Sequence, residues 1–263
     1  PISNPANLVI FAGGEMPPLS RWMQTFLLPS IVSIVVTFAS LYWTQRRALA
    51  DDTIARDVEQ PHLSYSARLA GWGLVVTALI LIGASAMNLD LGIPTFAAGL
   101  ITTIIVLTLT RQNPLETMRG ISWSVIPLVA GLFVIVEAVN HTGLTTLLSD
   151  RLALLAAQSQ AQAVGAAGLS VAIVSNLVNN LPAGLFAGSA VQAAHVSDSI
   201  AGAMLIGVDL GPNLSVTGSL ATILWLAALR REGLHMGALA FLRIGALVMF
   251  PALILSLATL ALV

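Results

Sequence analysis

Five stretches of about twenty residues, nearly free of charge, dominate the chain: 25–44, 69–87, 92–110, 121–139 and 244–263. A helix needs about 20 predominantly apolar residues to cross the ~30 Å hydrocarbon core of a bilayer. In that medium every backbone N–H and C=O must find a partner inside the protein, and helices achieve this within one segment. The stretches therefore predict an all-α membrane protein. Of 263 residues, 57% are hydrophobic and 9% charged, against about 25% charged in a typical soluble domain. The net charge is −1 and no basic cluster occurs, so nothing points to nucleic acid. The absence of Cys excludes disulfides and thiolate metal sites. The four histidines, His62, His141, His195 and His235, lack ligand spacing. Neither a metal nor a cofactor is expected.

Two further apolar regions are interrupted. In 161–194, two arms flank the polar "SNLVNNLP"; at 1.5 Å per residue each arm falls short of the core, which predicts a re-entrant hairpin. In 199–229, "DLGPNLS" places Gly211 and Pro212 in mid-segment and predicts a discontinuous helix. All 11 basic residues are Arg. With the polar linker 45–68 in the cytoplasm and the hairpin entering and leaving on the outer side, nine lie inside: Arg46, Arg47, Arg56, Arg68, Arg111, Arg119, Arg230, Arg231 and Arg243. Arg21 and Arg151 lie outside. A single span through 161–194 would move Arg230 and Arg231 outside, so the bias of Arg toward cytoplasmic loops favours the hairpin. The C-terminus is then outside.

A shift of 215 residues lays 6–27 over 221–242, matching Ala6, Ala12, Leu19, Phe26 and Leu27 to Ala221, Ala227, Leu234, Phe241 and Leu242. Both copies run from a polar break through a short helix and an elbow into a full span, and the two elbows face opposite sides. That is the pattern of an inverted repeat in a secondary transporter. A repeat of this length implies an intact protein of about 430 residues. The expected organisation is then 1–44 as the end of a first repeat, 45–68 as a linker and 69–263 as the second repeat, with the N-terminal half of the same protein missing.

The polar residues at the interruptions are the candidate site. Ser175, Asn176, Asn179 and Asn180 cluster beside Pro182 and Gly184; Asn213, Ser215 and Thr217 surround the second break; Asn4 and Asn7 stand in "SNPAN", residues 3–7. Amides and hydroxyls both donate and accept hydrogen bonds, so they can replace the hydration of a small polar solute. Their structural alternative is adhesion between helices. An ionisable group at membrane depth is costly and usually functional, which makes Asp209 the first candidate for proton coupling. Glu137 is the second; its alternative is a pair with His141 one turn on.

"PISNPANLVIF", "SNLVNNLPAGL" and "IGVDLGPNLSVTGSLATILWLAALRREG" resemble the arsenical-pump membrane proteins, bacterial arsenite efflux permeases of the ion transporter superfamily, over essentially the whole chain. The resemblance implies export of arsenite and antimonite through the inner membrane, coupled to proton entry, with an optional soluble ATPase docking on the cytoplasmic face. It implies a site between two hairpins and two broken helices; this chain matches one hairpin at 175–182, one break at 209–217 and the remains of another at 3–7. Arsenite at neutral pH is an uncharged trihydroxide, suited to Asn, Ser and Thr. A sodium- or proton-coupled carboxylate transporter of the same superfamily is the alternative, though no Arg lies in the midplane segments. An intramembrane aspartyl protease using Glu137 and Asp209 is more remote, because Asp209 follows Ile206, Gly207 and Val208 and not a Gly-x-Gly sequence.

Overall fold

A computed structural model describes residues 7, 10, 11, 17–50, 62–121, 123, 125–194 and 196–262. Among them the regular structure is all helical, without strands: α1 Leu19–Ala50, α2 Tyr65–Ala86, α3 Gly92–Thr110, α4 Pro114–Gly120, α5 Val125–His141, α6 Leu144–Gln158, α7 Gln160–Val178, α8 Asn180–Ala194, α9 Asp198–Leu210, a 3₁₀ turn Gly211–Leu214, α10 Leu220–Arg231 and α11 Ala238–Leu260. The chain is an all-α membrane protein. Among the described residues five helices are long and apolar enough to cross a bilayer: 19–47, α2, α3, α7 and α11.

Boundaries differ from the sequence expectation where capping chemistry acts. Arg47 lies in the last turn of α1, where a cation suits the helix dipole, and the helix runs on to Ala50. The stretch at 121–139 begins instead at Val125, because Trp123 folds back and its Nε1 donates to the Met118 carbonyl at 2.8 Å. Ser159 caps α7 through Gln162 N. The arm therefore has 19 residues and measures about 28 Å, longer than expected. Residues 51–61, Asn4 and His195 lie outside the described residues.

The core is built around α9, in which every residue from Ile200 to Val208 is buried. Small residues let α7 approach it. A Cβ at Gly207 would sit 2.3 Å from the Gly168 carbonyl oxygen, and one at Gly211 would sit 2.5 Å from the Ala172 Cα. Gly168 and Ala172 on α7 thus face Gly207 and Gly211, a four-residue spacing on both helices that allows backbone contact. On another side α11 packs against α9 and along α1. There Ser256, 1% exposed, donates to the Pro29 carbonyl at 3.2 Å.

Contacts fix which helix ends lie together. Arg21 at the start of α1 pairs with Asp198 at the start of α9. Gln160 Nε2, opening α7, reaches Ser197 Oγ at 3.5 Å, just past the end of α8. Phe26 and Leu260, the latter at the end of α11, stand 3.4 and 3.5 Å from where a Cβ of Gly202 would lie. Helices α7 and α8 therefore turn back on themselves at Asn179, and α6 runs beside α8, with Ser149 Oγ 3.4 Å from the Ala190 carbonyl. Helices α2 and α3 pair with each other through a close approach of Gly73 to Thr102 and touch α1 only lightly.

Candidate functional site

The break between α7 and α8 falls on Asn179, whose φ of 82° and ψ of 154° lie in a region that glycine alone occupies freely. Tertiary bonds hold it there. Asn179 Nδ2 donates to the Thr217 carbonyl at 3.1 Å, its Oδ1 accepts from Leu181 N at 3.4 Å, and Asn180 N donates to the Gly218 carbonyl at 2.8 Å. One turn earlier, Asn176 Nδ2 donates to the carbonyls of Ala172 and Gly211 at 2.7 and 2.8 Å. The Asn176 carbonyl accepts from Ser215 Oγ at 3.3 Å and Thr217 Oγ1 at 3.1 Å.

The hairpin tip and the break after α9 are thus bonded directly, with Asn176, Asn179, Asn180, Ser215 and Thr217 in one network. From sequence these residues are expected to replace the hydration of a small polar solute. Here the freed carbonyls of Asn176, Gly211 and Thr217 each accept a side-chain donor across the gap, and that of Gly218 accepts the Asn180 N–H, because an unpaired carbonyl at this depth is costly. Ser175 does not join this network: it is fully buried and returns its hydroxyl to Val171 O within α7. Asn213 is exposed on the 3₁₀ turn. One acceptor in the network has no partner: Asn176 Oδ1 is buried and unbonded among the described residues.

Asp209 occupies the last turn of α9, on a different side of the break. With the Asn7 amide oriented so that its nitrogen faces the carboxylate, Asn7 donates to both Asp209 oxygens, at 2.9 and 3.1 Å. Asn7 is 3% exposed. These two residues, 202 positions apart and in separate sequence motifs, meet at a cavity of about 280 Å³. Pro29, Ser30 and Ser33 of α1, Ser256 of α11, and the rings of Trp22 and Phe26 also line it. The two rings pack with centroids 4.7 Å apart. A second, smaller cleft holds the Arg21–Asp198 pair and shares Trp22 and Phe26 with the first.

Sequence reasoning missed this lining. Pro29 followed by Ser30 and Ser33 in an apolar span was a legible signal, since a helix-interior proline frees a carbonyl and the two hydroxyls share one face. Ser256 carried no such signal, because its partner is 227 residues away. Glu137 is not brought to the cavity. It stands on α5, 68% exposed, with its Oε1 3.2 Å from His141 Nε2, the structural pairing weighed as its alternative. No cluster of metal-ligating side chains occurs among the described residues.

Comparison with known proteins gives the family. The family described as arsenical pump membrane protein matches residues 17–263. The chain is 31% identical over 201 residues to an arsenical pump membrane protein of Yersinia enterocolitica, covering 73% of the chain and 46% of that relative. It is 32% identical over 200 residues to one of Escherichia coli K12, with the same coverage. An uncharacterized transporter of Synechocystis is 24% identical over 255 residues, 86% of the chain and 56% of that protein. The chain spans about half the length of the curated relatives it matches. No solved structure matches it.

Proposed function

The chain belongs to the arsenical pump membrane protein family, and from that premise we propose that it exports arsenite and antimonite across the bacterial inner membrane, driven by proton entry. The observation that carries the reading is Asn176 Oδ1, a buried acceptor left without a donor beside two helix breaks. Such an atom costs roughly 1–3 kcal/mol until a donor arrives. A neutral trihydroxide brings O–H donors and carries no charge that needs a counter-ion. The Asn176 nitrogen is already committed to two carbonyls, so its oxygen is the free half of the amide. Ser215 and Thr217, both bonded to the Asn176 carbonyl, stand close enough to exchange those bonds for solute hydroxyls. Asn179, Asn180 and Asn213 shape the tip and the turn, and Ser175 anchors the arm behind them. No Cys of this chain supplies a thiolate that would hold trivalent arsenic tightly at these residues, which favours release from them.

Asp209 binds a proton from outside and releases it inside, and the Asn7 amide holds its carboxylate in place. Asn4 would belong to the same broken segment as Asn7. Glu137 with His141 is the second carboxylate to test. The hairpin α7–α8 is re-entrant from the outer side, the linker 45–68 is cytoplasmic and the C-terminus is outside. A soluble ATPase would dock on the cytoplasmic face.

The test is uptake by everted vesicles carrying the intact protein, with arsenite or citrate offered under a proton or a sodium gradient. Proton-dependent arsenite uptake is expected. Citrate uptake, or a sodium requirement, would overturn the reading. Asp209→Asn should lose accumulation against a gradient; a variant that still concentrates arsenite with unchanged proton dependence removes Asp209 from the mechanism.

A further inference from the structure

We propose that the cavity between α1, α9 and α11 is a water-filled chamber through which protons reach Asp209, separate from the surface that the hairpin tip offers to the solute. The inference rests on the transport reading above and refines it.

None of the hairpin-tip residues 175–180 lines the cavity that Asp209 lines. Asn176 instead contacts the turn, through the Gly211 carbonyl. The broken helix therefore presents its carboxylate to one space and its freed carbonyls to another. A volume of about 280 Å³, open along α1 where Ser30 and Ile34 are exposed, accommodates several waters. Ser30, Ser33 and Ser256 line the same space as Asp209 and Asn7, so those waters would have donors and acceptors on its lining. A chain of waters so bonded delivers a proton to a carboxylate oxygen of Asp209 and recovers its own complement of hydrogens from the next water.

Asp209 is the one titratable side chain among the described residues that line this space. Helices α7 and α8 and the 3₁₀ turn carry no charged residue; α9 carries Asp198 and Asp209, α11 carries Arg243, and α1 carries Arg21, Arg46 and Arg47. Of these, Arg21 and Asp198 pair with each other in the neighbouring cleft, beyond Trp22 and Phe26. The two rings line both the cleft that holds the ion pair and the hydroxyl-lined cavity.

Separate chambers change the coupling. Proton and solute do not compete for one set of ligands. They communicate through Leu210, the single residue between Asp209 and Gly211, whose carbonyl holds Asn176. Binding of one then alters the affinity for the other through a shared conformational change, reciprocally.

This chain contributes no Cys, so once any Cys elsewhere in the intact protein has been replaced, single thiols can be introduced. Ser33→Cys and, independently, Ser30→Cys in the intact protein would be treated in membrane vesicles with a small water-soluble methanethiosulfonate. Each variant is compared before and after labelling for proton-driven arsenite export and for arsenite exchange without a proton gradient. Labelling is expected to lower export by about tenfold or more and leave exchange within about twofold, as blocking an intramembrane ionisable site requires. Thiols that do not react, export that survives labelling, or exchange lost as fully as export would each overturn the chamber. A parent protein without proton-driven arsenite export fails the transport reading itself. A parent that exports, with a labelled variant that also exports, fails only the inference.

Discussion

Asn179 shows how one residue joins local strain to tertiary bonding. Its backbone is placed where a side chain costs about 1–3 kcal/mol, and its amide compensates by bonding the Thr217 carbonyl and Leu181 N. Removing the amide while keeping a Cβ leaves the strain without the compensation. Asn179→Ala is therefore expected to destabilise the protein by about 2–3 kcal/mol. Asn179→Gly should cost less, because the same bonds are lost but the backbone is relaxed. Thermal unfolding in detergent reads the difference; equal losses in the two variants would show that the backbone at 179 is unstrained. At this scale Asn7 and Asp209 differ in kind from the tip amides. Their contact joins two segments far apart in sequence around a carboxylate, whereas the tip amides chiefly satisfy freed backbone.

At the scale of elements, the hairpin and the broken helix work as one unit. Helix α9 has 13 residues and α8 has 15, and neither meets the length that a bilayer asks of a single span. They are stable because each break is closed by the other's side chains and because α7 lies almost backbone to backbone on α9. The glycines are the condition for that approach. Gly207→Ala is expected to push α7 away, since the new methyl would meet the Gly168 carbonyl, a backbone atom that cannot rotate aside. A destabilisation of about 1–3 kcal/mol follows. Transport should fall with it, because Asn176 would lose its register with Gly211. Gly83→Ala on α2, with nothing within 4 Å of its Cβ position, is the control and should unfold as the parent does. Comparable unfolding of the Gly207 variant and the control would show that the α7–α9 approach has slack.

For the whole molecule, the contacts set the starts of α1, α7 and α9 and the end of α11 together, an arrangement independent of the Arg count that suggested the orientation. Single cysteines at Leu63, before α2, and Leu262, after α11, are both exposed positions. An impermeant thiol reagent should label Leu63→Cys in everted vesicles and Leu262→Cys in intact cells; the reverse pattern would invert the assigned orientation. The sequence by itself determined the membrane class, because hydrocarbon imposes a length and a polarity on every span that can be counted along the chain. It also located the breaks, since proline, glycine and clustered amides alter the backbone where they stand. Asp209 was legible for the same reason: a carboxylate in an apolar stretch is conspicuous without any partner. What faces it was not. Ser256 meets Pro29 across 227 residues, Asn7 meets Asp209 across 202, and the tip amides bond the second break directly. The separation between Asp209's cavity and the tip amides exists only once α7 has packed on one side of α9 and α1 with α11 on another. Hydropathy registers that a residue is buried in a membrane protein, but packing alone decides which neighbour it is buried against.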